Sequence, residues 1–172
     1  MTAILAVDPG TYETGLVIYD TDAHHVPSFG IYDNYITEKM IKDISSPTIF
    51  AYEMIGHYGT GMSVGKEVFH TCIWIGKFES AWKNSEYFAG REDKPYMILN
   101  REIRLTLCGT AKAKEKNIRQ AVLDRFPATG GGACPQKGTK KNPGPLYGMK
   151  SHVFSALAVA LTWKEMYGKK EN

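Results

Sequence analysis

Two carboxylates and one histidine, distant from one another along the chain, are the residues whose types and settings point to chemistry. Asp8 ends the apolar run AILAVD and is followed at once by Pro9-Gly10 and then by Gly15. Glycine has no Cβ, so Gly10 and Gly15 leave room for a close backbone approach beside the acid. An Asp-Pro-Gly stretch also makes ordinary turns, and alone it says no more than that. Glu53 adds weight: it sits in the apolar context FAYEM, and an ionised carboxylate there is costly unless a positive charge or hydrogen bonds offset it. A metal ion is one such offset; a salt bridge or a strand end at the surface is the other. His152 opens the segment HVFSALAVALTW after a glycine-rich loop. A lone histidine is usually structural, but two strand carboxylates with a donor from a later helix make a hard, oxygen-rich cluster suited to Mg²⁺ or Mn²⁺.

The elements that must position these residues can be read from periodicity and turn chemistry. Residues 3–8 and 15–20 (GLVIYD) read as adjacent strands joined across the turn-rich PGTYET. A third strand is expected within Ser28–Ile36, a short helix over Thr37–Ile44, and a buried fourth strand over Thr48–Met54. From Met62 to about Trp82, Val64, Val68, Cys72, Ile75 and Phe78 recur at helical spacing and predict a long helix. Lys94–Leu99 reads as a fifth strand, Arg101–Leu107 as a helix, Lys112–Phe126 as an amphipathic helix ended by Pro127, and His152–Tyr167 as the closing helix. The intervening stretch, about 127–149, is rich in Gly, Pro and Lys and is expected to be flexible. Strands first, then helices alternating with later strands, give an α/β class: a mixed sheet with helices on its faces. At 172 residues the chain reads as one domain, 1–172, without internal repeats.

Composition narrows the partners. The formal charge is only +3, but Arg101, Arg104, Lys112, Lys114, Lys116, Arg119 and Arg125 crowd one stretch against Glu102, Glu115 and Asp124. That excess suits a polyanion, and equally a solvated helix face. Cys72, Cys108 and Cys134 are odd in number and widely spaced, which suggests neither a disulfide framework nor a paired-cysteine zinc site. The sequence has no apolar run long enough to span a membrane, and MTAILAVDPG lacks the basic start and cleavage site of a secretory signal, so a soluble intracellular protein is expected.

The Asp8-Pro9-Gly10 turn with Gly15, the Glu53 strand end and the His152–Leu161 helix together resemble the RuvC-type Holliday junction resolvases, in particular a phage-encoded branch. Glu102-Ile103-Arg104 followed by Gly109-Thr110-Ala111-Lys112-Ala113-Lys114 resembles that family's segment before its penultimate helix. The motifs fall in the family's order from residue 3 to about residue 165. The resemblance implies an RNase H-like fold, with a five-stranded mixed sheet flanked by helices, and a homodimer; the long Met62–Trp82 helix is expected to form part of its interface. It further implies a structure-selective endodeoxyribonuclease of DNA recombination and repair, active in the cytoplasm of a bacterial host or phage-infected cell. Two divalent ions would assist phosphodiester hydrolysis, one activating water and the other stabilising the leaving oxygen. By the same resemblance Asp8 would bridge the ions, Glu53 would bind one and His152 the other. The family commonly places a second acid one helical turn after the His152 position, where this chain has Ser155. Serine is a weak ligand: Ser155 itself, water, substrate phosphate or another acid such as Glu102 would then complete the shell, or the enzyme would be slower or less metal-loaded than its relatives.

Branched DNA offers phosphate backbones and unstacked bases. Arg104, Lys112, Lys114, Lys116, Lys140 and Lys141 are candidates for the phosphates, and His57 or Tyr58, in the loop after Glu53, for a ring lowered into an opened junction. A less selective fork or flap nuclease is the alternative among enzymes. A catalytically weakened branched-DNA-binding protein, suggested by Ser155, is the alternative from outside them.

Overall fold

The architecture comes from a computed structural model, which describes residues 3–46, 48–56, 65–87 and 94–168. Five strands, β1 (Ala3–Pro9), β2 (Glu13–Asp20), β3 (His25–Asp33), β4 (Thr48–Met54) and β5 (Tyr96–Leu99), form one sheet in the order β3-β2-β1-β4-β5. β1, β2 and β3 pair antiparallel, whereas β4 and β5 join on the other side in parallel. The helices are α1 (Asn34–Lys42), α2 (Lys66–Lys83), α3 (Asn100–Cys108), α4 (Glu115–Leu123) and α5 (Ser151–Tyr167).

Alternation along β1 explains both layers. Ile4 and Ala6 point into a core shared with α3, α4 and α5, and Leu5 and Val7 into a second core closed by Ile41 of α1 and Ile75, Phe78 and Trp82 of α2. A central strand covered on both faces should be apolar throughout, and Ala3 to Val7 are all buried. α5 is apolar nearly all round, with Val153, Phe154 and Ala156 to Trp163 buried, because sheet, α3 and α4 enclose it. Among the described residues no helix is long and apolar enough to cross a membrane.

The expected elements are present, with shifted ends. The third strand stops at Asp33, whose carboxylate accepts the Tyr35 amide at 2.8 Å and so starts α1 before the expected Thr37. α4 begins at Glu115 rather than Lys112, with the Lys114 amide donating to Asn117 Oδ1 at 2.9 Å. Residues 127–149 contain no helix or strand, yet Leu146 and Met149 within them are buried in the α5-side core.

Candidate active site

The first carboxylate owes its position to sheet register. Val7 of β1 pairs with Tyr52 of β4, so Asp8 and Glu53 are the next residues along two parallel neighbours and share the face on which α5 packs. The turn after Asp8 is fastened from beneath: Asn34 Nδ2 donates to the Gly10 carbonyl at 3.0 Å, and Thr14 Oγ1 donates to Asn34 Oδ1 at 2.7 Å. Gly15, paired with Asp8, lets α5 approach; a Cβ there would lie 2.3 Å from the His152 carbonyl oxygen.

That contact sets the start of α5 against Asp8. His152 Nδ1 lies 3.0 Å from Asp8 Oδ2, and Ser155, one turn on, also favours the charged form of the Asp8 carboxylate. β5 ends beside β4, and the next residue, Asn100 at the start of α3, donates from Nδ2 to Glu53 Oε1 at 2.8 Å. A cleft of about 390 Å³ opens here, bounded by Asp8, Glu53, Asn100, Arg101 and Arg104 among others.

Electrostatics in the cleft are uncompensated. Burial pushes the Asp8 carboxyl above the usual carboxylate range; the His152 and Ser155 contacts only partly oppose this, and the charge of Glu115 adds to it. Glu53 is pushed up to about 7, chiefly by burial and next by the charge of Asp8, while Asn100 and the Arg104 guanidinium pull the other way. Glu115, at the start of α4, raises Glu53 too. Arg104 itself has a buried Nε with no hydrogen-bond partner among the described residues.

Of the residues singled out from the sequence, Asp8, Glu53, His152 and Ser155 come together, and Arg104 joins them at the cleft. Glu102 does not line the cleft; its carboxylate accepts the Leu99 amide at 2.7 Å and caps its own helix. Lys112, Lys114 and Lys116 are exposed around the start of α4, next to the cleft residue Ala111, and Lys140 and Lys141 are exposed in the 127–149 loop. His57 and Tyr58 lie outside the described residues. Sequence reasoning missed Asn100 and the influence of Glu115 on the cleft. Asn100 had a signal only in the parallel pairing that brings the end of β5 beside Glu53.

Among the described residues no three His, Cys, Asp or Glu side chains are arranged to hold a metal ion. The donor chemistry nevertheless fits a hard divalent cation. Two neighbouring carboxylates are held where their charge is disfavoured, facing a cleft wide enough for water and phosphate oxygens, and Mg²⁺ commonly binds one or two carboxylates while keeping waters or substrate phosphates.

No family model and no curated protein matches the sequence. Solved structures do match in shape. Thermus thermophilus RuvC is 16% identical, with a TM-score of 0.66 over 98% of this chain and 96% of that one. The structure of T. thermophilus RuvC in complex with Holliday junction substrate is also 16% identical, with a TM-score of 0.64 over 99% and 97%. The likeness that the sequence motifs suggested therefore extends over the whole described architecture, and the chain has the RuvC fold, of the RNase H-like kind.

Proposed function

We propose that the protein is a divalent-metal-dependent endonuclease that resolves four-way DNA junctions or closely related branched DNA. The observation that carries the reading is the Asp8–Glu53 pair: adjacent carboxylates, both pushed above their ordinary range, at a cleft that also holds Arg101 and Arg104. The structural likeness to RuvC, one example of which is bound to Holliday junction substrate, supplies the substrate class.

Asp8 and Glu53 would hold Mg²⁺ or Mn²⁺, with His152 completing the donor set and two ions expected. Such ions supply a water of lowered pKa and stabilise the leaving oxygen. The chain's own groups act around that chemistry. Asn100 fixes the Glu53 carboxylate in one orientation, and His152 fixes that of Asp8. Arg104 acts on Glu53 through its charge and would bind a phosphate oxygen once a cation satisfies the acids. Lys112, Lys114 and Lys116 would hold the flanking backbone.

A homodimer belongs to the same reading. Phe69 and Ile73 repeat on the outer side of α2 and are more than half exposed, as are Tyr35 and Ile36 of the neighbouring α1. Monomers rarely leave such a patch uncovered, and two copies joined there would serve the two strands of a junction. An Ile73→Lys variant is expected to run as a monomer by light scattering at micromolar concentration, where the unaltered protein runs as a dimer.

Cleavage of a labelled synthetic four-way junction beside a linear duplex of the same sequence, with Mg²⁺ or Mn²⁺, tests the function. Paired symmetric nicks confined to the junction and absent in Asp8→Asn are expected. Equal cutting of forks and flaps would replace the resolvase with a general branch nuclease, and binding without cutting would make the protein a branched-DNA binder.

A further inference from the structure

Between Asp124 and Glu165 the chain contains no acid at all, while Arg125, Lys137, Lys140, Lys141, Lys150 and Lys164 fall within that span. Its first half is the 127–149 segment, and its backbone closes on itself. Gly130 N donates to Pro135 O at 2.8 Å, Gly131 N to Asn142 O at 2.9 Å, Gly144 N to Lys137 O at 3.0 Å and Leu146 N to Gln136 O at 2.8 Å.

Three glycines make this closure possible. A Cβ on Gly130 would lie 2.6 Å from Gly138 Cα, one on Gly138 2.2 Å from Gly144 N, and one on Gly144 2.2 Å from Pro135 O. Gly138 also has φ +72°, which side-chain-bearing residues rarely adopt. The loop is thus a glycine-packed unit, pinned at its end by buried Leu146 and Met149, with Lys140 and Lys141 at its exposed turn.

Its base meets α4 over one ring. The Arg119 guanidinium lies 4.6 Å and the Lys137 ammonium 5.8 Å from the centre of Phe154, two residues beyond His152. Neither cation has an acidic partner among the described residues. Like charges held around one ring are satisfied by an anion reaching both, and a phosphate backbone supplies anions in series for the lysines beyond.

We propose that Arg119, Lys137, Lys140 and Lys141 form a preformed, sequence-blind grip on the phosphodiester backbone of a DNA duplex arm, shaped by the packing of Gly130, Gly138 and Gly144. The inference rests on the proposed function and names where that site holds an arm of its substrate.

The test is binding of a fluorescent four-way junction by Asp8→Asn protein, which does not cut, at increasing KCl. Arg119→Ala/Lys137→Ala and Lys140→Ala/Lys141→Ala are each expected to reduce the slope of log affinity against log salt by about 2, near 0.9 for each phosphate no longer neutralised. Gly138→Ala removes no charge and is expected to reduce the slope as well, because it displaces the loop. Unchanged slopes in both charge variants would overturn the grip. A normal slope in Gly138→Ala, with the charge variants impaired, would overturn its preformed character. If the Asp8→Asn protein bound no DNA while the charge variants melted normally, the proposed function itself would fall, and this inference with it.

Discussion

The two ends of α5 make a controlled comparison, since one helix carries a histidine-centred cluster at each. At the far end every charged group finds a partner. The Lys164 ammonium donates to Tyr19 Oη at 3.1 Å and to the Thr21 carbonyl at 2.8 Å, and Arg125 Nε meets Glu165 Oε1 at 2.6 Å. His24 bridges the group: its Nδ1 faces the Tyr19 hydroxyl at 2.5 Å and its Nε2 the Arg125 carbonyl at 2.5 Å, with the ring stacked on Phe126. Those partners assign the ring proton to Nε2, and Tyr19, pushed up to about 12 mainly by burial, remains a phenol. At the near end His152 also meets a carboxylate, yet Asp8 and Glu53 are still raised and Glu115 adds like charge. A balanced cluster stabilises a fold; an unbalanced one in a cleft is where, on the proposed function, a cation or substrate would complete it.

The largest effect that would sharpen the contrast is on cleavage. Asp8→Asn removes the acid expected to carry several kcal/mol of transition-state stabilisation, so junction cleavage should fall on the order of a thousandfold or more. His24→Ala should leave the rate unchanged in the same gel assay. An Asp8→Asn protein that cut normally would break the comparison at its functional end.

Next in size is the pH dependence of stability without metal. Glu53 titrates near 7 when folded against 4.5 as its ordinary value, so the folded state binds the proton more tightly. Its contribution is fully present below about pH 4.5 and is lost as pH rises to about 7, by at most roughly 3 kcal/mol. Asp8, also raised, acts in the same direction. Melting in chelator across pH 4.5–8 should therefore show a decline that Glu53→Gln largely flattens. Parallel profiles for the two proteins would show that the near end carries no such burden.

Smallest is the structural cost at the far end. His24→Ala leaves the Tyr19 hydroxyl and the Arg125 carbonyl without their shared partner and should lower stability by about 1–3 kcal/mol, a fall in Tm of several degrees.

How much of this was legible in the sequence differs between the ends as well. Asp8 and Glu53 stood out because each breaks an apolar strand pattern, and alternation alone places both on the α5 face once the strands are parallel neighbours. His152 stood out only by its place at the start of the last helix. Strand and helix order was legible because turn residues punctuate long apolar runs, whereas ends shifted where a side chain, as at Asp33, chose the first helical turn. Asn100, Glu115 and the far-end cluster were not legible. Each depends on which elements meet in space: Asn100 on β5 lying beside β4, and His24 on Arg125, 101 residues away. The packing of Gly130, Gly138 and Gly144 was equally hidden, since Gly, Pro and Lys content does not show which backbone groups in that stretch bond one another.

The most direct measurement is metal-dependent melting at pH 8, comparing the unaltered protein with Asp8→Asn/Glu53→Gln. If the near-end carboxylates await a divalent ion, millimolar Mn²⁺ or Mg²⁺ should raise the Tm of the unaltered protein, by an amount that grows with ion concentration, and should leave the double variant where it was. No shift in the unaltered protein, or an equal shift in both, would contradict the account.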